Sequence, residues 1–218
     1  MRRIKISGLC LVIIFTMSAV MAASASAVLP EFSSPFAKTF TSTSKASLLE
    51  TTAKVKLVCT ADTNAGEITG SQTGSVTIAF TGCALKKVPC NTPGRPSGTI
   101  VTSLLSLSLG YINKAKKEVG IDLASAAGGV FAEFGCGSAL RGVVLGSVIG
   151  RITPVNKKVI PAAFFTLRFT QAIGIQKIIN LEGGPPDVLE TSFGGPSLQS
   201  GLSSTDRIFF SEPVLISA

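Results

Sequence analysis

The chain has 218 residues, 45% of them hydrophobic, and its 20 Lys and Arg against 12 Asp and Glu give a net charge of +8 at pH 7. It contains no histidine, no tryptophan and one tyrosine, Tyr111. Without His there is no Ser-His-Asp or Cys-His nucleophile and no His-ligated metal, and without Trp the largest stacking surface for a sugar is missing.

Arg2, Arg3 and Lys5 make a basic start, followed by an apolar run from Leu9 to Val20 and by overlapping Ala23-Ser24-Ala25 and Ala25-Ser26-Ala27 sites. That order predicts a signal peptide over residues 1–27, cut near Ala27–Val28. The apolar run of about 12 residues is short of the roughly 20 that a bilayer span needs, so no transmembrane segment is expected in the mature chain. Cys10 leaves with the signal, and Leu9 before it argues against a lipoprotein. Loss of Arg2, Arg3 and Lys5 lowers the net charge from +8 to +5, which biases an exported protein toward anionic partners. The expected location is secreted, either extracellular or associated with the cell envelope.

Residues 28–45, rich in Ser, Thr and Pro, read as an extended lead-in, and 46–218 as a single domain. Within that domain the dominant period is two. Val76, Ile78 and Phe80 alternate with Ser75, Thr77 and Ala79, Leu105, Leu107 and Leu109 with Ser106 and Ser108, and Phe165, Leu167 and Phe169 with Thr166, Arg168 and Thr170. Strands with one buried and one wet face carry this pattern. Gly and Pro clusters at Pro93-Gly94, Gly128-Gly129, Gly183-Gly184 and Gly194-Gly195 separate them as turns. The stretch from Leu140 to Ile152 predicts a long central strand whose glycines mark bulges or close contacts. Asn113-Lys114 and Asn156-Lys157 each join two strands, as in a meander. The predicted fold class is all-β, a single-domain antiparallel β-sandwich or flattened barrel following a cleaved signal peptide.

Four cysteines remain in the mature chain, Cys59, Cys83, Cys90 and Cys136, and an even number in an oxidising compartment predicts two disulfides. Three connectivities are open. The short stretch Ala84 to Pro89 favours a local Cys83–Cys90 loop, which leaves Cys59 with Cys136. Zinc is disfavoured because there is no CxxC and no His, and no metal or other cofactor is expected.

Paired carboxylates are the one catalytic chemistry still open, since a glycosidase needs no more. Asp62, Glu67, Glu118, Asp122, Glu133, Asp187 and Glu190 are candidates, but no motif groups them. Glu133, between Phe131 and Phe134, reads best as an outward-facing residue of an apolar strand. Asp62-Thr63-Asn64-Ala65-Gly66-Glu67 partly resembles a calcium loop, yet Ala65 breaks the ligand spacing and an Asx-type hairpin turn uses the same residues. No catalytic residue is assigned. Lysines recur in predicted turns: Lys86 and Lys87; Lys114, Lys116 and Lys117; Lys157 and Lys158. Turns projecting from one end would join these into a cationic patch for an anionic wall polymer or polysaccharide. Nucleic acid is not expected, because the phenylalanines belong to strand cores rather than to the basic segments.

The segments Cys59 to Gly70, Phe80-Thr81-Gly82-Cys83 and Cys90-Asn91-Thr92-Pro93-Gly94 resemble a family of uncharacterised secreted proteins of high-GC Gram-positive bacteria. So do Leu109 to Lys114, Phe131 to Phe134 with Cys136, and Glu182-Gly183-Gly184-Pro185. The resemblance implies export and a disulfide-linked β fold and supplies no site. The functional expectation is a non-catalytic extracellular or envelope module that binds an anionic partner. The alternatives are a carbohydrate-active hydrolase using paired carboxylates and a self-associating surface protein.

Overall fold

Alternation of β-branched or hydroxyl residues with apolar ones lets each strand bury one face, and the chain repeats this device from end to end. The computed structural model describes residues 29–138 and 140–218; the expected signal peptide lies outside them. The short strand β1 (Glu31–Phe32) is followed by eight walls. The first wall is β2 (Lys38–Ser44) continued by β3 (Ser47–Thr51), and the second is β4 (Lys56–Cys59) continued by β5 (Ala61–Ile68). The third joins β6 (Thr73–Thr81) to β7 (Ala84–Leu85), and the fourth comprises β8 (Val88–Asn91), β9 (Ile100–Val101) and β10 (Leu105–Asn113). The fifth is β11 (Glu118–Ser125) with β12 (Val130–Cys136), and the sixth is the 14-residue β13 (Leu140–Thr153). The seventh starts as β14 (Phe165–Phe169) and leaves through a hairpin of β15 (Gln171–Ala172) and β16 (Ile175–Gln176). It then resumes as β17 (Leu189–Phe193). The eighth is β18 (Leu198–Phe210), after which β19 (Ile216–Ser217) pairs back onto β1.

All ladders are antiparallel, and each wall pairs with the next in the chain. The eighth also pairs with the first, β18 binding β2 along one half and β3 along the other. The sheet therefore closes into an eight-walled up-and-down barrel, and closure removes the free edges that an open sheet would expose. The expected meander is present, and closure selects the barrel over the sandwich.

Residues 38–44 are not a lead-in but a full wall, in register with β5 over seven residue pairs and with β18 over five. Serines and threonines on both of its faces mask the strand pattern, and Phe40 is its one large apolar inward residue. Inside the barrel, Phe40, Phe165 and Phe210 pack together, with Phe210 5.5 Å from Phe40 and 5.7 Å from Phe165, ring centre to ring centre. Leu107 and Leu109 sit beside Leu123 and Ile121 of the neighbouring wall, and all four are buried in the interior. The outer face carries Thr41, Thr43, Ser108, Arg168, Thr205 and Arg207, all exposed. Among the described residues no helix is long and apolar enough to cross a membrane.

All four predicted cysteines are in disulfides, but the pairing is Cys59–Cys83 and Cys90–Cys136, not Cys83–Cys90 and Cys59–Cys136. Register decides this. Leu57 faces Leu85 and Val58 faces Ala84, which brings Cys59 opposite Cys83, while Cys90 faces Cys136 directly. Cys83 and Cys90 instead flank the β7–β8 hairpin, where the Cys90 amide donates to the Cys83 carbonyl at 2.9 Å. Both bridges tie this hairpin outward, one to each neighbouring wall. The seam needs them, since β8 and β12 share only two registered pairs. Two disulfides are consistent with an extracellular location.

Candidate functional site

Ser42, Ser44, Asp62, Asn64, Ser204 and Asp206 form a polar cluster inside the barrel. On β2 and β5, Ser44 faces Asp62 and Ser42 faces Asn64; on the other side of β2, Ser44 faces Asp206 of β18. Asp62 and Asp206 are almost completely buried. The Ser44 hydroxyl donates to Asp62, and the Ser204 hydroxyl donates to Asp206 at 3.1 Å. The Asn64 amide donates to Asp206 at 3.2 Å and to the Ser42 hydroxyl at 2.5 Å. Burial pushes the Asp206 carboxyl up to about 8, with the charge of Asp62 and a hydrogen bond to it adding to the rise, while Ser204 and Asn64 hold it back. The rise favours the protonated form of Asp206 near neutral pH, and the buried Oδ1 of Asp62 beside it has no hydrogen-bond partner. The voids beside this cluster measure about 10 and 30 Å³. A water-sized probe fills them and a sugar ring does not.

The segment Asp62 to Glu67 is neither a calcium loop nor a turn. It lies within β5, with Asp62 and Asn64 pointing inward and Thr63 and Ala65 outward. Among the described residues no group of three or more His, Cys, Asp or Glu gathers to hold a metal ion. Glu133 faces outward and pairs with Arg141 at 2.7 Å, and Glu118 pairs with Arg151 at 3.3 Å.

A second carboxyl pair lies on the outer wall. The segment after β16 folds back across β10, β11 and β13 as a strap. Its Glu182 amide donates to the Tyr111 carbonyl at 2.7 Å, the Glu182 carboxylate accepts from the Lys114 amide at 2.8 Å, and Leu181 covers Gly110. At the end of the strap Asp187 accepts from the Ser147 hydroxyl at 2.6 Å. Asp122 lies beneath it with its Oδ1 buried and unpartnered. Burial first, and then the charge of Asp187, raises Asp122 to about 7.

The lysines divide between the two ends of the barrel. In an antiparallel meander alternate turns share an end, so Lys114, Lys116, Lys117, Lys157 and Lys158 project from one and Lys86 and Lys87 from the other. All seven are exposed. At the second end Lys86 and Lys87 are joined by two lysines absent from the sequence expectation, Lys54 and Lys56. These four line an open groove of about 700 Å³ floored by Ala53, Val55, Val58 and Ala84. Lys56 is 3.5 Å from Glu50, and among the described residues no other ion pair involves the four. Lys54, Lys86 and Lys87 have φ of 63°, 47° and 70°, in the left-handed region that favours Gly or Asn.

Asp206 was also missed as a partner of Asp62, although it shares the parity of the inward residues Ile208 and Phe210. Comparison with family models, with curated proteins and with solved structures finds no match to this chain.

Proposed function

We propose that the protein is an exported, non-catalytic barrel module that holds an anionic wall polymer or polysaccharide in the four-lysine groove. The observation that supports this reading is the convergence of Lys54, Lys56, Lys86 and Lys87 on one groove with an apolar floor. Backbone preference does not account for them. A left-handed conformation costs a non-glycine residue about 1 kcal/mol, and three of the four adopt it. An extended chain of anionic groups lying along the groove would meet ammonium groups at its rim and apolar contact at its base. The same four lysines would repel one another in a free protein, and a polyanion relieves that repulsion.

A paired-carboxylate hydrolase is the less supported reading. The buried Asp62 and Asp206 do not favour it, because they are enclosed beside voids too small for a sugar ring.

Retention of the purified protein on isolated cell wall and on a polyuronate gel tests the proposal. Retention is expected at about 0.1 M salt and lost near 1 M, as the screening length falls from about 10 to 3 Å. Lys86→Glu/Lys87→Glu should abolish it, whereas Lys157→Glu/Lys158→Glu at the opposite end should not. Retention indifferent to salt, or equal in both variants, would rule the groove out.

A further inference from the structure

The barrel wall opens near mid-height at a second groove, independent of the four-lysine site. The first wall carries one extra residue there: Ser44 is in register with Asp206 and Leu48 with Ser203, so Lys45 and Ala46 fall between the two ladders. On the other side of β18, the seventh wall leaves the barrel after Phe169. The resulting groove has a volume of about 510 Å³, and no acidic residue lines it.

Its rim carries three exposed cations on three neighbouring walls, Lys45, Arg168 and Arg207. They surround Thr205. Arg168 is registered directly opposite Thr205, and Arg207 sits two residues further along the same strand, opposite Thr43. Among the described residues none of the three cations has a carboxylate within salt-bridge distance. Arg207 is held in place by the Phe164 ring, 4.9 Å from its guanidinium carbon, which leaves the edge N–H groups free to donate.

Stability alone does not favour this arrangement. Arg168 is also directly opposite Arg151, a like-charge cross-strand pair that destabilises a sheet. Glu118 neutralises Arg151 at 3.3 Å and leaves Arg168 uncompensated. Outward hydroxyls of Thr43 and Thr205 lie between the cations and add neutral donors. Two guanidiniums, an ammonium and hydroxyls on a rigid wall match the donor demand of a tetrahedral oxyanion.

We propose that this mid-height groove is a binding site for a phosphate or sulfate group, as borne by a small ester or by one residue of a larger glycan. The site differs from the four-lysine groove in using arginine forks on rigid strands, and this favours one compact dianion over a polymer run.

Inorganic phosphate and inorganic sulfate are the probes, compared with chloride at equal ionic strength by calorimetric titration and by thermal midpoint. Saturable binding with a raised midpoint is expected for at least one of them. Arg168→Gln and Arg207→Gln should each weaken it about tenfold, the loss of one charge-assisted contact. Lys86→Gln/Lys87→Gln should leave it unchanged, so failure here and failure of the polymer reading remain distinct. Thr205→Val, which removes the central hydroxyl without altering charge, should weaken binding too and serves if an arginine variant does not fold. Glycerol phosphate and a sulfated monosaccharide then identify the preferred ester, and binding of either supports the site. No ion-specific binding in the parent, or equal binding in the parent, Arg168→Gln and Thr205→Val, would overturn it.

Discussion

Asp62 and Asp206 flank Ser44 in one interior row of the barrel, each registered opposite it from a different side of β2. They converge because both side chains point inward from walls separated by a single strand. Asp206 cannot reach bulk water to ionise freely, so its protonation is linked to folding.

Stability should therefore fall as pH rises. Folded Asp206 keeps its proton to about 8, whereas its unfolded counterpart releases one near 3.8. Between those values the folded state holds the extra proton, so each step up in pH favours unfolding, by at most about 1.4 kcal/mol per unit for one group. Urea midpoints across this window should decline and level off above it. Asp206→Asn should flatten the decline and raise the midpoint at the alkaline end. A variant with the parental slope would show that Asp206 is ionised in the fold.

The strap should respond in the same direction. Asp122 is raised to about 7 by burial and by Asp187, so its ionisation sets two carboxylates against each other between the barrel wall and the strap. Amide exchange over residues 179–187, corrected for its intrinsic pH dependence, should quicken as pH passes through that value. Asp122→Asn should remove the step, because the neutral amide leaves Asp187 bonded to Ser147. Unchanged exchange in both proteins would mean the strap is held by Leu181 and Glu182 alone.

Non-reducing peptide mapping should recover Cys59 with Cys83 and Cys90 with Cys136. The bridges close segments with sequence separations of 24 and 46, and loop entropy puts each at about 3–4 kcal/mol. Cys90→Ser/Cys136→Ser should expose the β7–β8 hairpin to proteolysis before the rest of the barrel, since only two registered pairs then hold β8 to β12.

Gly146→Ala should be among the most damaging single changes. A Cβ there would lie 1.9 Å from the Val188 carbonyl oxygen, on a backbone with φ of 87°. The expected loss is about 3 kcal/mol or more by urea unfolding. Gly94→Ala, with a similar φ but nothing within 4 Å, should cost only about 1 kcal/mol.

Local pattern made several elements legible. Leu105, Leu107 and Leu109, or Phe165, Leu167 and Phe169, alternate strictly, and that alternation survives in the fold because one face of each strand is buried. The long strand from Leu140 was equally plain. β2 was not, because its Thr and Ser residues resemble a polar linker and become a wall only when β5 and β18 pair with both of its edges. The candidate sites were half visible. Lys86 and Lys87 announced themselves as a doublet, but Lys54 and Lys56 join them only across the β4–β7 ladder. Arg168 and Arg207 are 39 positions apart in the chain and are neighbours only through the β14–β18 register.

The amino-acid sequence alone established the strand class, the oxidation of the four cysteines and the exclusion of histidine-based chemistry, because these depend on residue identity and on periods of two. Closure of the barrel, the choice of cysteine partners and the meeting of Asp62 with Asp206 were decided only in three dimensions. Each depends on which strand edges find one another and in what register, and a slip of one residue would turn every one of those side chains to the opposite face.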